Sequence, residues 1–580
     1  PMPLRPSTLA LGLALFAPAV SAQGLAVVAT SPAANAVAAP RSGPVALTFS
    51  APLDPASVTP ARVRVMGRWS GPVAGALTLS TDGRTLTFTP ARPFQAGEHV
   101  TVQVAGAVRD AAGSTLGTGR GLTFWAASGP GSLALPEVGQ VEIRQPGEGN
   151  IVTYGGIGMD LDGDRFNDFV VSNEATDDVR VFLNDGAGRY GAFTVVPLPQ
   201  GAVPSPLEGG DFNGDGRMDV AVANLGNDRV SVLLGDGAGA FPARTSYRSG
   251  QSVRALVAVD LDGDGVDDLV TANRMAGTVT VLRGAPDGSF GPPALVPVTD
   301  LEPHALALAD FDEDGRLDVV VGDFEGQGLV VLRNDGAGGL AEASRVAFVG
   351  SPWMIASGDL DNDGHADVAV AGSYAGVVNV AFGDGDGGFS DVVTLPSGQF
   401  LIAIDVGDLD GDGDLEVVSS TYSTKDYRLF ENLGGRQFGP PRLFPVAGAA
   451  SCVTLHDRDD DGDLDMTGID EVVDRVYLYE NTGASAAPPA PAEAGPALTL
   501  AGPNPARARA AVTVRLAAGG PARVTLVDVL GREVAVLLHG DLAPGPHPVG
   551  FDVDRLAPGV YAVRLESGEG VESVRLTVAR

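Results

Sequence analysis

The sequence predicts an all-β protein in which a seven-bladed β-propeller lies between an N-terminal β-sandwich and a small C-terminal β-sandwich. The first observation is a repeat: the pattern Asp-x-Asp-x-Asp-Gly-x-x-Asp, or a close variant, occurs seven times, with starts 49 to 51 residues apart. A period near 50 residues is typical of propeller blades with four short strands each. The second is composition: 79 glycines and 42 prolines in 580 residues indicate many turns and short strands.

Each repeat has the sequence pattern of four strands. In the fifth repeat the strand-like segments are 353–357, 368–371, 377–382 and 389–395, and the acidic pattern lies between the first two. A glycine turn precedes the last segment, and an aromatic residue follows this turn in several repeats. We expect these aromatic side chains to pack between blades: Tyr190, Phe241, Phe290, Phe389 and Phe438.

The seventh repeat is incomplete, because the chain becomes rich in Ala and Pro after residue 483 and no fourth strand is evident. The segment 132–143, just before the first repeat, has strand character but no hairpin partner of its own. We therefore predict that it supplies the fourth strand of the last blade. Closing the ring in this way leaves no unpaired strand edge at the seam.

Two β-domains are predicted beside the propeller, which we place at residues 129–485. Alternating apolar residues, for example in 45–49, 85–88 and 100–104, predict a β-sandwich over residues 23–128. Residues 486–499 are mostly Ala and Pro and predict a semi-rigid linker. Strand-like segments resume in residues 500–580 and predict a second, smaller sandwich.

The first 22 residues have the features of a secretory signal peptide. Arg5 precedes an apolar run of 12 residues, and small residues at 20–22 offer a cleavage site before Gln23. Twelve apolar residues are too few to span a bilayer, and no later stretch of the sequence predicts a transmembrane helix. We therefore expect a secreted or cell-surface protein. The single cysteine, Cys452, excludes an intramolecular disulfide, and we expect it to be buried and unreactive.

The formal net charge of −34 would repel nucleic acids and anionic membrane surfaces, and we expect no nucleic-acid partner. The acids are clustered rather than spread evenly. Of the 72 acidic residues, 27 lie at positions 1, 3, 5 and 9 of the seven acidic patterns. Like charges packed this closely destabilise a compact state unless something neutralises them.

The nine residues of each pattern, called here the acidic loop, have the spacing of a cation site. Side chains at positions 1, 3, 5 and 9 can converge on one point, position 7 can add its carbonyl, and Gly at position 6 permits positive φ. Such oxygen ligands suit Ca²⁺, whereas Mg²⁺ prefers to keep its waters. No Glu stands at position 12, as an EF-hand would require, and strand-like segments flank each loop. We therefore predict about seven Ca²⁺ sites, one per blade.

The predicted metal ligands are the residues at positions 1, 3, 5, 7 and 9 of the seven loops. In chain order they are Asp160, Asp162, Asp164, Phe166, Asp168, Asp211, Asn213, Asp215, Arg217, Asp219, Asp260, Asp262, Asp264, Val266, Asp268, Asp310, Asp312, Asp314, Arg316, Asp318, Asp359, Asp361, Asp363, His365, Asp367, Asp408, Asp410, Asp412, Asp414, Glu416, Asp457, Asp459, Asp461, Asp463 and Asp465.

Three loops depart from the pattern. Asn213 replaces Asp at position 3 and Glu416 replaces Asp at position 9, and both still offer oxygen. Position 6 of the first loop is Arg165, where the other six loops have Gly. Because Arg adopts positive φ reluctantly and adds positive charge, we expect the site at Asp160 to be the weakest.

With these loops, residues 130–485 resemble the FG-GAP/VCBS repeat family, whose repeats also form the propeller of integrin α-subunits. The resemblance implies a seven-bladed propeller with Ca²⁺ in the acidic loops. It also implies cell adhesion or ligand binding, since members are commonly adhesive, although some are attached to enzymes. Seven loops are more than integrins usually have, which favours a structural role for the metal.

The two flanking domains carry resemblances of their own. Residues 504–505, 527–534 and 556–561 resemble the type A sorting domain of type IX secretion in Bacteroidota. This implies that the C-terminal domain engages the secretion machinery for export across the outer membrane, followed by release or surface attachment. Residues 26–127 resemble a bacterial Ig-like domain of the SbsA type, through residues 30–32, 49–50 and 86–90.

The sequence leaves three functions open. The first is a non-catalytic, calcium-binding adhesion or ligand-binding module, with an extracellular glycan or protein as its partner. The second is a calcium-dependent polysaccharide lyase or hydrolase built on the propeller, and the third is a structural surface-layer component. We predict a monomer without catalytic residues, because the sequence has no Gly-x-Ser-x-Gly, His-Glu-x-x-His or phosphate-loop motif.

Histidine and lysine offer few other candidates for catalysis. We interpret His304 and His456 as structural residues. Lys425 is the only lysine in the chain, with Tyr422 and Tyr427 close to it in sequence. This is the one cluster outside the acidic loops where the sequence suggests an active or binding site.

Overall fold

The computed structural model describes residues 24–482, 497–500, 509–516, 520–528, 532–542, 545–553, 555–567 and 570–579. Over these ranges the chain is built from β-strands and turns, with one turn of 3-10 helix at Pro55–Ser57. It divides into two compact units between Ala484 and Ser485. The predicted signal peptide, residues 1–22, lies outside the described residues. No helix within the described ranges has the length and apolar character to cross a membrane.

The first part of the larger unit is a two-sheet structure, called here the N-terminal sandwich. Its sheets have the strand orders β1-β2-β6-β5 and β4-β3-β7-β8. Alternating side chains, such as Leu47, Phe88, Val102 and Phe124, are buried between the sheets, as the sequence pattern predicts. The strands are β1 (Val27–Ser31), β2 (Val45–Phe49), β3 (Val63–Gly67), β4 (Gly71–Pro72), β5 (Gly75–Leu79), β6 (Thr85–Pro90), β7 (His99–Val104) and β8 (Arg120–Trp125).

Seven four-stranded antiparallel sheets follow, one for each repeat. The first four blades are β10 (Thr153–Met159), β11 (Asp168–Asn173), β12 (Asp178–Asn184), β13 (Tyr190–Pro197); β14 (Pro204–Gly210), β15 (Asp219–Asn224), β16 (Arg229–Leu234), β17 (Ala243–Arg248); β18 (Val253–Val259), β19 (Asp268–Asn273), β20 (Thr278–Leu282), β21 (Ala294–Leu295); and β22 (Pro303–Ala309), β23 (Asp318–Asp323), β24 (Gly328–Asn334), β25 (Leu340–Ala347). The last three are β26 (Ser351–Gly358), β27 (Asp367–Ser373), β28 (Val377–Gly383), β29 (Phe389–Pro396); β30 (Leu401–Gly407), β31 (Glu416–Thr421), β32 (Asp426–Phe430), β33 (Arg442–Pro445); and β34 (Ala450–His456), β35 (Asp465–Asp470), β36 (Arg475–Tyr479) with β9 (Glu137–Glu142).

The seven blades form a closed ring. The first strand of each blade contacts the first strand of the next, and β34 of the last blade contacts β10 of the first. Strand β9, from before the first repeat, pairs with β36 and completes the seventh blade, with Val476 opposite Val141. The predicted closure by segment 132–143 is therefore confirmed, and it removes the free strand edge at the seam.

Side chains between neighbouring blades form the propeller core. The second strand of each blade is buried along its whole length, as in Asp168–Asn173. The aromatic residues that follow the glycine turns also pack here: Tyr190 lies 5.8 Å from Phe169, and Phe290 lies 5.7 Å from Phe212, between ring centroids. Their predicted packing role is confirmed.

The second compact unit is also all-β over its described residues. It has a three-stranded sheet of order β37-β38-β41 and a four-stranded sheet of order β40-β39-β42-β43. Strand β37 begins at Ala497, inside the segment 486–499 that the sequence predicts as linker; the rest of that linker and the Asn504-Pro505 motif lie outside the described residues. The strands are β37 (Ala497–Leu500), β38 (Arg509–Leu516), β39 (Gly520–Asp528), β40 (Glu533–Leu542), β41 (Gly545–Asp552), β42 (Gly559–Ser567) and β43 (Gly570–Val578).

Candidate metal centres on the propeller

Each acidic loop joins the first strand of its blade to the second, so all seven loops lie at one face of the ring. In the first blade, β10 ends at Met159 and β11 begins at Asp168, the ninth loop residue. The same arrangement recurs in every blade because the repeats have nearly the same length. The sequence repeat therefore produces seven copies of one local geometry on a shared face.

Two positions in every loop have a left-handed backbone. Position 6 has φ between 80° and 104° in the six glycines, and Arg165 is held at 87°. Position 4 also has positive φ in all seven loops, with Gly in four of them and Glu313, Asn362 or Asp460 in the others. The motif predicts the positive φ at position 6, but the sequence analysis does not predict the positive φ at position 4. The signal for position 4 is the Gly that four loops have there.

Carboxylates at positions 1 and 5 fix this backbone by accepting main-chain hydrogen bonds. Position 1 accepts the N–H of position 6 in all seven loops, at 2.8 to 3.2 Å. Position 5 accepts the N–H of position 7 in all seven, at 2.8 to 3.2 Å. The position-7 residues thus donate their N–H within the loop, and their carbonyls are left to serve as the predicted ligands.

The carboxyl group at position 9 ties each loop to a second turn of the same blade. Asp168 accepts the N–H of Leu161 at 2.9 Å and that of Asn184 at 2.8 Å. The equivalent pair of hydrogen bonds occurs in the other six blades. Burial is the main cause that raises the pKa of these carboxyls, to about 7 for Asp168 and about 9 for Glu416. Position 9 is therefore a structural anchor, and it still has lone pairs for a cation.

The acids of a loop converge as the spacing predicts. Oxygens of positions 1, 3 and 9 lie within 4.8 Å of one another in the loops that start at Asp160, Asp310, Asp359 and Asp408, and those of positions 1, 3 and 5 do so in the loop at Asp260. These groups are acidic side chains alone, without His or Cys. Oxygen donors of this kind suit a hard divalent cation.

The seventh loop gives the most direct test of this fit. One oxygen each of Asp457, Asp459 and Asp463 is buried and has no hydrogen-bond partner. Burial, together with the charges of Asp461 and Asp457, raises the pKa of Asp463 to about 8. An unpaired buried carboxylate oxygen costs free energy that a bound cation would recover. The side chain of Asp463 joins this group, whereas the sequence predicts only a carbonyl ligand from position 7.

Arginine side chains supply counter-charges in five loops. Arg436 lies 2.5 Å from Asp361 and 3.4 Å from Asp363 of the fifth loop. Comparable pairs join Arg217, Arg283, Arg316, Arg333 and Arg458 to acids of the second, third, fourth and seventh loops. A cation bound in these loops must share the carboxylates with the guanidinium groups or displace them.

The first loop is not among the five loops whose acids pair with arginine. Its position-6 residue, Arg165, directs its guanidinium to Asp460 of the seventh loop, at 3.2 Å. The carboxylates of Asp160, Asp162 and Asp168 nevertheless converge in this loop. Reduced calcium affinity of the first loop stays a prediction. Its physical basis is the left-handed backbone of Arg165.

Asparagines in the turn between the third and fourth strands link neighbouring blades, a feature that the sequence interpretation missed. Asn184 Nδ2 donates to Arg458 O at 2.9 Å, and Asn432 Nδ2 donates to Leu360 O at 2.8 Å. Asn481 Nδ2 donates to Leu409 O at 2.6 Å. All three acceptors are position-2 carbonyls of a neighbouring loop. The signal in the sequence is an Asn that recurs 16 residues after position 9, where it also donates its N–H to the position-9 carboxyl.

The N-terminal sandwich lies on the face that carries the acidic loops. The carbonyl of position 6 accepts a hydrogen bond from the sandwich or the segment after it in five loops, at 2.6 to 3.1 Å. The donors are Gln95, Arg64, Gly121, Asn35 and Gly129, and the acceptors are Arg165, Gly265, Gly315, Gly364 and Gly462 respectively. Through these contacts the N-terminal sandwich forms one compact unit with the propeller.

The same docking closes one end of the central channel. Arg64 pairs with Asp267 at 3.0 Å, and Arg68 pairs with Asp405 of an inner strand at 2.8 Å. A cavity of about 280 Å³ lies between the sandwich and the inner strands, which contribute Glu208 and Cys452 to its wall. Burial raises the pKa of Cys452 to about 12, which agrees with the predicted buried, unreactive thiol.

The structure separates the residues of the predicted Lys425 cluster. Tyr427 is fully buried and its hydroxyl donates to Ile469 O at 2.7 Å. Lys425 is exposed, and Tyr422 instead donates to Glu471 at 3.4 Å. His456 is buried and contacts the Thr467 hydroxyl at 2.9 Å. Lys425, Tyr422 and Tyr427 therefore do not form one site.

Several solved structures are similar to this chain at low sequence identity. A search of solved structures finds BBS1N in complex with ARL6DN (13% identity, 60% of this chain, 98% of that chain, TM-score 0.43). It also finds a protein from Lactobacillus plantarum (13%, 67%, 98%, 0.41) and an auxiliary nutrient binding protein from Bacteroides ovatus (12%, 79%, 98%, 0.34). These values carry no argument about function. None of the curated proteins compared with the sequence matches it.

Family comparisons are more specific. The bacterial Ig-like domain matches residues 21–125, which include the N-terminal sandwich. The FG-GAP-like repeat matches residues 160–222, 211–271, 260–321, 310–370, 359–419 and 408–467, each span running from one acidic loop into the next. Together these six matches cover residues 160–467, more than half of the chain. The chain therefore belongs to the FG-GAP-like repeat family and carries a bacterial Ig-like domain before its repeats.

Proposed function

We propose that this protein is an extracellular, calcium-stabilised binding module whose propeller has no catalytic role. The observation that carries the proposal is the seventh acidic loop, where oxygens of Asp457, Asp459 and Asp463 are buried without partners. Six further loops repeat the same backbone and the same carboxylate hydrogen bonds. Seven equal structural positions suit a stabilising cation better than a single active site.

Calcium is the cation that this donor set fits best. It accepts six to eight oxygens in flexible geometry, whereas Mg²⁺ demands octahedral geometry and keeps its waters. Extracellular calcium modules bind with Kd of about 10⁻⁴–10⁻³ M. At ten times Kd each site adds roughly 1.4 kcal/mol to folding stability, so seven sites supply on the order of 10 kcal/mol. The chain has no disulfide to do this, since it has a single cysteine.

Calorimetric melting of the full chain with calcium, with magnesium and with EDTA tests the calcium proposal. We expect a clear rise in melting temperature with calcium and a smaller one with magnesium. A double variant, Asp457→Asn with Asp459→Asn, should bind one calcium fewer in a titration. Asp386→Asn makes the same chemical change at an exposed aspartate outside the loops and serves as control. Equal melting temperatures in calcium and EDTA would overturn the proposal.

The binding role rests on family membership and on the lack of a catalytic arrangement at the clusters that the sequence singled out. Its partner is an extracellular glycan or protein. A glycan array, run together with a polysaccharide depolymerisation screen, separates a binder from an enzyme: binding without turnover supports the proposal, and turnover contradicts it. Export by the signal peptide and the C-terminal sorting domain completes the proposal, and fractionation of the producing cells tests it.

A further inference from the structure

The face opposite the acidic loops carries a cluster of aromatic side chains around the other end of the channel. Because an acidic loop joins the end of each first strand to the start of the second, the remaining ends of these strands lie at the opposite face. The residues there come from four blades, the first, fourth, fifth and sixth. The channel-mouth cluster, as we call it, consists of Tyr154, Phe324, Trp353, Tyr374, Phe400 and Tyr422.

The aromatic rings of the cluster are in mutual contact. Phe400 lies 5.1 Å from Trp353, 5.0 Å from Tyr374 and 5.6 Å from Tyr422, between ring centroids. The Trp353 indole N–H donates to the Tyr154 hydroxyl, which comes from the first blade. Tyr374 is 67% exposed, which is unusual for an aromatic side chain at the centre of such a cluster. The Tyr374 ring is therefore open to solvent while it packs on the rings of Phe400 and Trp353.

Several polar groups at this mouth lack partners. Arg254 lies with its guanidinium carbon 6.0 Å from the centre of the Trp353 ring, yet its buried Nε has no hydrogen bond. The Nδ1 of His304 and the hydroxyl of Ser205 are also without partners, and both residues are 1% exposed. Each unpaired buried group costs free energy that a hydrogen-bonding ligand would recover. Such groups next to exposed aromatic rings indicate a site for a polar ligand or the waters that it replaces.

Charges at the mouth nearly balance. Arg274 is already paired with Glu302 at 2.6 Å and stacks on Phe324 at 3.8 Å. The charge of Glu174 acts to raise the pKa of Arg254. It also acts to raise the pKa of Glu471. Burial raises the pKa of Glu471 to about 7, so that this carboxyl can donate as well as accept near neutral pH. The mouth therefore offers donors and acceptors together without a strong net charge.

We propose that the channel-mouth cluster binds a pyranose ring of a neutral glycan, with Tyr374 against the sugar face and Arg254 and Glu174 as partners of its hydroxyl groups. A sugar combines an apolar C–H face with hydroxyls that both donate and accept, and it matches aromatic rings beside mixed polar groups. An apolar peptide would bury Arg254 and Glu174 without partners. A strongly charged ligand would meet charge of its own sign. This site rests on the proposed role as a binding module and names its ligand class and face.

Titration of the full, calcium-loaded chain with maltohexaose, cellohexaose and mannohexaose tests the site, with hexagalacturonate as the acidic comparison. Calorimetry measures affinity, and Trp fluorescence reports location, because Trp69 and Trp125 are at most 3% exposed on the acidic-loop side and Trp353 lies at the mouth. We expect at least one neutral hexasaccharide to bind and to change the fluorescence. Tyr374→Ala should weaken it roughly tenfold, and Arg254→Gln should also weaken it, whereas Leu433→Ala, an exposed residue in a turn on the acidic-loop side, should not.

Three results would overturn the site. One is no binding of any of the three neutral hexasaccharides at millimolar concentration; another is binding that Tyr374→Ala and Arg254→Gln both leave unchanged; the third is tighter binding of hexagalacturonate than of every neutral sugar. Melting temperature in calcium keeps this outcome apart from failure of the proposed function. If calcium still stabilises the chain and a ligand binds at another face, the binding module stands and only the channel-mouth site fails.

Discussion

The main-chain N–H of Gly129 donates a 2.6 Å hydrogen bond to the carbonyl of Gly462, the sixth residue of the seventh acidic loop. The same carbonyl position is the acceptor in four other loops. This position has positive φ in every loop. Its N–H donates a hydrogen bond to the position-1 carboxylate. The surface on which the N-terminal sandwich rests is therefore built from the backbone that a loop cation would fix.

Removing calcium should loosen the N-terminal sandwich from the propeller. Without the cation, three or four carboxylates in each loop repel one another and the position-6 carbonyls lose their fixed direction. We expect faster hydrogen exchange in EDTA at the amides of Gly106, Gly121 and Gly129, each of which donates to a loop carbonyl. Exchange within His99–Val104, inside the sandwich, should change little. Uniform exchange changes in both regions would contradict a docking effect.

Replacing Arg165 should show how much strain the first loop carries. The residue has φ of 87°, where glycine is favoured by about 1–2 kcal/mol over other residues. Arg165→Gly and Arg165→Ala both remove the guanidinium and its contact with Asp460. We expect Arg165→Gly to be more stable than Arg165→Ala by about 1 kcal/mol, since glycine gives up part of the gain as chain entropy. Denaturant unfolding in saturating calcium measures the difference, and equal stability would show that the backbone there is relaxed.

The contrast between the acidic loops and the two ends of the channel shows what the sequence can predict. Asp457 to Asp465 form a local pattern with a fixed spacing, so ligand positions, the turn and the blade count are visible in the sequence. The contacts of Arg64 or Asn35 with distant loops have no local pattern, because they depend on how a separate sandwich is placed. The channel-mouth cluster takes its residues from four blades, and Tyr154 of the first blade meets Trp353 of the fifth only when the ring closes.

The pH dependence of stability should reveal Glu208, which lines the cavity under the N-terminal sandwich. Burial raises the pKa of this carboxyl from 4.5 to about 7, although Arg68 lowers it. The folded state thus binds a proton that the unfolded state releases between pH 4.5 and 7, so this residue's contribution to stability falls as pH rises through that range. Glu208→Gln removes the titration and keeps the shape.

In saturating calcium, we expect the melting temperature of Glu208→Gln, relative to that of the unmodified chain, to rise between pH 5 and pH 7.5. The gain corresponds to about 1–3 kcal/mol of unfolding free energy. Glu137→Gln, at an exposed strand residue, is the control and should show a constant difference. A pH-independent difference for Glu208→Gln would show that the carboxyl is ionised in the cavity at all these pH values.

Asn481 should be the residue on which closure of the ring depends most. It is fully buried; its amide nitrogen donates to Leu409 O at 2.6 Å, and its amide oxygen accepts the N–H of Ser132 at 3.0 Å. Ser132 lies in the segment that leads to β9. Asn481 thus joins the sixth loop, the seventh blade and the strand that completes it. Asn481→Ala removes the partner of the Ser132 N–H and of the Leu409 carbonyl, and the unpaired carbonyl of the buried Leu409 costs about 1–3 kcal/mol.

Asn432→Ala is the matched variant, because Asn432 occupies the same turn position of the sixth blade and also bonds to a neighbouring loop, but not to the closing segment. Both variants should lower the melting temperature. Only Asn481→Ala should free the strand at the seam and speed tryptic cleavage after Arg144, which follows β9. Since β9 supplies the one blade strand that comes from before the first repeat, its release opens the ring at a single place. Equal cleavage rates in the two variants would mean that the pairing of β9 with β36 holds the seam without Asn481.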